Sequence, residues 1–185
     1  MSDNNNVVDR GYNICQAHGE YVDYIYKDGK LVETREGHNI VVNVCSKLLA
    51  GLVAGKISKG GVYWAIGSGS DAWDAQYDAN TPPEPSAEAT ILVNEIARIP
   101  LTAANFKFVD GAGNELADTN FSNRIKCTIS VSEDVANGKW REFGLFGGTT
   151  ATATADTGIM IDHIYHNVFN KSAEFSVTRV LTLTF

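Results

Sequence analysis

FSVTRVLTLTF, residues Phe175 to Phe185, is the stretch that decides the fold class. Phe175, Val177, Leu181, Leu183 and Phe185 share one side of a two-residue period. Ser176, Thr178, Thr182 and Thr184 share the other. Side chains of a strand alternate between two faces, so this pattern is a strand with one buried side. Closing on Phe185 in the apolar register, it is expected to tuck its end into a sheet. Arg179 stands in that same apolar register.

Moving outward, the same reading recurs. Ile125, Cys127, Ile129 and Val131 alternate with Lys126, Thr128 and Ser130. Trp140–Phe146 is an apolar run ended by Gly147-Gly148, and Ile159–Phe169 and Val62–Ile66 are two more. Glu88–Ile99 fits helix or strand, and Pro100 stops any helix there. Near the start, two strand-like runs rich in Tyr21, Tyr24 and Tyr26 flank Asp28-Gly29, a pair suited to a type I′ hairpin. A helix is expected over residues 43–54. Val41, Val44, Leu48 and Leu52 recur at helical spacing beside Cys45, Leu49 and Val53, Asn43 stands at the cap, and Gly55 at the stop. That helix is expected to bury one stripe against a sheet. The fold class is therefore mainly β (α+β): an antiparallel β-sandwich-like domain with one amphipathic helix and long projecting loops. Residues 1–20 read as a polar arm, flexible or ordered on a partner, and 21–185 as a single β-rich domain. Thr81-Pro82-Pro83-Glu84-Pro85 is a loop within it.

The chain has 185 residues, 44% hydrophobic and 20% charged, with a net charge of −7. That balance suits a soluble domain and argues against wrapping nucleic acid, which needs clustered cations. No apolar run approaches the ~20 residues of a membrane span, and the start, MSDNNNVVDRG, lacks the apolar stretch of a secretory signal. Cys15, Cys45 and Cys127 are odd in number and far apart, which points to thiols in a reducing cytoplasm.

YWAIGSGSDAWD (Tyr63–Asp74) has glycines only at Gly67 and Gly69. Ala72 stands where a dinucleotide fingerprint needs its third, and no Lys-Ser or Lys-Thr follows. The cluster reads as a turn into a long surface loop, and Asp71, Asp74 and Asp78 as its solvated acids, in no EF-hand spacing. His163 and His166, three apart in a strand, face opposite ways and read as surface histidines. Cys15-x-x-His18 is half a zinc site, and Cys45 and Cys127 sit in apolar patterns as buried thiols. No nucleophile elbow and no acid–base pair of carboxylates stands out, so no enzyme, metal or cofactor is expected. Glu95, Arg98, Arg141, Glu142 and Arg179 lie inside apolar runs. Buried charges must pair, so these five are expected to form an ion-pair network stitching strands together. Trp64, Trp73 and Tyr77 are candidate interface or glycan contacts, beside Gly67 and Gly69.

Taken in order, AIGSGSD, a Pro-rich acidic loop, ATILVNEIARIPL, an alternating strand, WREFGLFGG and a late Asn170-Lys171 resemble the N-terminal attachment domain of phage tail-collar fibre proteins. The pattern there runs from an ALG-x-G strand end through a Pro/Ser loop to L-x-NEV-x-R, then W-x-REIGLF and a later lysine. The likeness covers residues 61–185, about two thirds of the chain. Matching positions are Ile66, Gly67, Gly69, Leu92, Asn94, Glu95, Arg98, Trp140, Arg141, Glu142, Gly144, Leu145, Phe146 and Lys171. The resemblance implies fold and interface roles for them, in a virion tail component assembled in the host cytoplasm. It implies a homo-oligomer, a trimer or higher ring, docked on other tail, collar, baseplate or fibre proteins, with no nucleic acid or membrane partner. About sixty residues precede the match and no shaft follows it, so the expectation is an adaptor, collar or baseplate subunit, or a fibre-attachment piece. The alternative is a carbohydrate-binding module that recognises a receptor.

Overall fold

The computed structural model describes residues 17–78 and 81–185. The expected arm up to residue 16, and with it Cys15, lies outside the described residues. Nine strands run in chain order: β1 (His18–Lys27), β2 (Lys30–Val41), β3 (Gly61–Gly67), β4 (Glu95–Pro100), β5 (Phe106–Phe108), β6 (Arg124–Val131), β7 (Gly138–Gly147), β8 (Ile159–Lys171) and β9 (Phe175–Thr184). All pairings are antiparallel. They make one continuous sheet in the order β4-β3-β7-β8-β2-β1-β9-β6-β5, curled into a half-barrel. The protein is mainly β, and the facing layers of the sandwich-like arrangement are the walls of this single sheet.

The alternating segment that opened the sequence is β9, and it lies between β1 and β6. Its ladder with β1 runs from His18↔Thr184 to Lys27↔Phe175. Asp28 and Gly29 have φ of 50° and 71°, the paired left-handed residues of a type I′ turn, and close the β1–β2 hairpin as expected. His18–Glu20 belong to β1, so the sheet begins three residues before the expected end of the arm. The ambiguous stretch Glu88–Ile99 becomes turns followed by the edge strand β4. β5 was not read from the sequence, because three residues are too few to show a period.

The main core fills the concave face. Trp64 of β3 stacks on Phe143 of β7 with centroids 4.5 Å apart, and Trp140 meets both edge-on. Ile25, Leu145, Ile164, Leu181 and Leu183 complete it. A smaller cluster of Val42, Ala65, Leu92, Phe146 and Met160 lies apart from it. Residues 64–65 and 145–146 send neighbours to the two clusters, as strand alternation requires.

Helix α1 (Cys45–Val53) forms within the expected window, and two details differ. Only Cys45 and Leu48 are buried, whereas Leu49, Leu52 and Val53 face outward, so the stripe is narrower than its spacing suggested. Asn43 does not cap with its side chain. Its Nδ2 donates to Glu88, and Val44 occupies the cap position. Gly55, with φ of 64°, ends the helix as expected. His163 and His166 are buried, not at the surface.

Candidate functional site

The site grows from Gly67, the last residue of β3, which stands opposite Glu142 of β7. A Cβ on Gly67 would lie 2.5 Å from Cγ and Oε1 of Glu142. The missing side chain therefore lets the glutamate lie flat across β3. Glu142 is 0% exposed. Its Oε1 accepts the backbone N–H of Gly69 at 3.1 Å and of Asn94 at 2.9 Å, and its Oε2 that of Val93 at 2.9 Å. Gly69 begins the excursion between β3 and β4, and Val93 and Asn94 end it. One carboxylate thus ties both ends of a long loop. Ser68 N–H to the Asn94 carbonyl, and Asn94 Nδ2 to Ser68 Oγ, close the same neck.

Beyond the neck the loop folds back on the sheet. Gly69 has φ of 65°, and a Cβ there would also sit 2.2 Å from the Trp73 ring. Trp73 opens a one-turn helix α2 (Trp73–Gln76) and meets Tyr165 of β8 edge-on at 4.7 Å. Arg141 donates Nη1 to the Ser70 carbonyl at 3.1 Å and Nη2 to Asp74, which also accepts from Lys139. These cations hold the Asp74 carboxyl below its usual range, the Lys139 hydrogen bond leading. On the return leg Leu92 fills the smaller core cluster, and Asn43 N–H donates to the Ala87 carbonyl. Asp71, Tyr77, Glu84, Ile91 and Val93 remain outward. From Ser68 to Asn94 the loop carries Asp71, Asp74, Asp78, Glu84 and Glu88 and no lysine or arginine.

The five expected ion-pair residues do not form one network. Only Glu95 and Arg98 pair with each other, by Nε–Oε1 at 2.5 Å and Nη2–Oε2 at 3.0 Å. Arg98 Nη1 also reaches the carbonyls of Thr152 and Thr157, anchoring the β7–β8 loop. Arg141 pairs with Asp74, and Glu142 with backbone amides. Arg179 pairs with Asp23 of β1 through two 2.6 Å bonds and lies 3.5 Å from the Phe143 ring centroid. The distances between β7, β4 and β9 in the sheet explain the division. Asp23 was missed, although its signal was present: it shares a strand face with Tyr21 and Ile25, as Arg179 does with Val177 and Leu181.

Trp64 is a core residue rather than a surface contact. Trp73 is half-buried between Tyr165 and Arg141, and Tyr77 is exposed. Lys171, matched by the resemblance, is buried and donates to the Glu133 carbonyl and Asn137 Oδ1, holding the β6–β7 turn. Burial pushes the Cys45 thiol up to about 11 and the Cys127 thiol to about 12, so both stay protonated. Gly69→Ala is expected to destabilise by about 1–2 kcal/mol from its left-handed backbone alone, with the Trp73 clash added. An unchanged urea midpoint would show that the neck shifts freely.

Comparison of the chain with protein-family models, with curated proteins and with solved structures gives no match.

Proposed function

We propose that this chain is a structural subunit of a phage or phage-like tail, an adaptor that docks fibre, collar or baseplate proteins through the excursion Ser68–Asn94. One observation supports the reading most. Gly67 and Gly69, Asn94, and Glu142, from three separate stretches of the sequence and all matched by the tail-collar resemblance, meet at one buried carboxylate. The resembling motifs are thus the parts of one device, a rigid neck that presents a loop. The presented surface mixes acidic Asp71 and Glu84 with apolar Tyr77, Ile91 and Val93, as a docking surface does. Preorganisation by the neck reduces the ordering entropy lost on binding. A homo-oligomer, trimer or larger ring, follows from the symmetry of tails. The glycan-binding alternative draws less support, since Trp64 is internal and Trp73 is half-covered.

The test is incorporation. Tail particles are purified from cells expressing the wild-type chain or the variant Tyr77→Ser/Ile91→Ser/Val93→Ser, and the subunit is quantified by mass spectrometry. The wild type is expected in stoichiometric amount and the variant at least tenfold depleted, with an unchanged melting temperature. Absence of the wild-type chain from particles would defeat the proposal. Equal incorporation of the variant would remove the loop from the contact.

A further inference from the structure

The chain sorts its charge along its length. Residues 38–70 hold Lys47, Lys56 and Lys59 and no aspartate or glutamate. Residues 71–97 hold Asp71, Asp74, Asp78, Glu84, Glu88 and Glu95 and no lysine or arginine. The first stretch includes α1 and its exit, and the second most of the excursion between β3 and β4. The fold keeps the two apart. Cys45 and Leu48 root α1 in the main core, whereas Leu92 roots the excursion in the smaller cluster, on the other face of the sheet.

Both surfaces carry apolar side chains that nothing in the chain covers. On α1 these are Leu49 (45% exposed), Leu52 and Val53 (91% exposed). They stand three and four residues apart, so they lie on one side of the helix. Lys56 and Lys59 follow at the exit, exposed and in no ion pair among the described residues. On the excursion the uncovered side chains are Tyr77, Ile91 and Val93. Asp71 and Glu84 stand exposed on the same loop, and they too pair with no cation among the described residues. Asp74, Glu88 and Glu95 are already held within the chain, by Arg141 and Lys139, by Asn43 and by Arg98. One surface is therefore apolar and basic, and the other apolar and acidic.

We propose that α1 and its exit dock on the excursion Ser68–Asn94 of a second copy of this chain. Leu49, Leu52 and Val53 meet Tyr77, Ile91 and Val93, while Lys56 and Lys59 face Asp71 and Glu84. The inference rests on the docking role given to the excursion above and names its partner. Every copy carries both halves of the match, which singles out a second copy over an unrelated protein. Apolar burial supplies the attraction, and the opposite charges steer the approach and fix the register. The neck tied by Glu142 holds the acidic surface in shape before contact. Because the two surfaces differ, each contact leaves one of each kind free, and copies add head to tail until a ring closes.

The test uses the full chain alone in solution. By sedimentation equilibrium the wild type is expected to associate beyond the monomer. Its association constant is expected to fall at least tenfold between about 50 mM and about 500 mM salt, as screening weakens the charge pairs. Lys56→Glu/Lys59→Glu and Asp71→Lys/Glu84→Lys are each expected to weaken association at least tenfold with an unchanged melting temperature, since all four positions are exposed and unpaired. The chain with all four changes exchanges the charges of the two surfaces and is expected to associate as the wild type does. A second readout needs no variant. Carbodiimide coupling in a mixture of light and nitrogen-labelled chains is expected to join Lys56 or Lys59 of one chain to Asp71 or Glu84 of the other. A monomeric wild type, a fourfold variant as weak as the twofold ones, or couplings confined to single chains overturns the inference. The two readings fail separately. A monomeric chain that still enters particles overturns the self-docking alone, and an associating chain absent from particles overturns the tail reading alone.

Discussion

Arg179→Met is expected to lower stability by about 3–5 kcal/mol, the cost of leaving one member of a buried ion pair without its partner. Arg179 is 1% exposed and holds the buried Asp23 through two hydrogen bonds, so the variant leaves that carboxylate without its partner. Packing is lost too, since the guanidinium lies on the Phe143 ring. The double variant Arg179→Met/Asp23→Leu removes the charge with its partner and is expected to recover most of the loss, because an apolar pair of similar volume often replaces a buried ion pair without penalty. Urea midpoints of the three proteins decide it. A single variant within about 1 kcal/mol of wild type would mean that water reaches Asp23.

Glu142→Ala has a comparable effect by another route. It orphans the N–H groups of Gly69, Val93 and Asn94, each worth about 1–3 kcal/mol when buried without an acceptor. The total need not appear in global unfolding, because the neck can open and let water take the amides. The expected result is a stability loss of about 3 kcal/mol with selective release of the excursion. Amide exchange at residues 69, 93 and 94 rises at least a hundredfold, and protease cuts within 71–91, while the amides of β1 and β9 stay protected. Unaltered exchange at the three amides would show that the carboxylate is not their anchor.

Alternation made β6 and β9 legible, apolar runs made β7 and β8 legible, and Asp28-Gly29 announced its turn, because all these signals are local. Strand neighbours are not local. Nothing near Tyr21 or Ile40 in the chain says that the first hairpin inserts between β8 and β9. The partners of the buried charges followed the same divide. Glu95 and Arg98 lie three apart and were read together, whereas Arg179–Asp23 and Arg141–Asp74 depend on sheet order. Glu142 was recognised as a buried charge, but its partners are backbone amides, which every residue carries and no sequence pattern marks. The helix stripe was overread for a related reason: spacing shows that Leu49, Leu52 and Val53 lie near Leu48, not where the sheet ends beneath them.

Gly67 beneath Glu142, Gly19 beneath Asn39 and Gly37 beneath the Tyr21 ring are one arrangement used three times, a long side chain lying across a strand position left bare. Such positions are bound to each other in inheritance. Replacing Gly67 first drives a side chain into Glu142, and shortening residue 142 first takes the acceptor from the neck's amides, so either order passes through a protein whose neck is open. In a library randomised at 67 and 142 together, the folded members are expected to trade size between the two sites. Sites 19 and 39, and 37 and 21, are expected to do the same, so that each pair drifts as one unit and no member of it drifts alone.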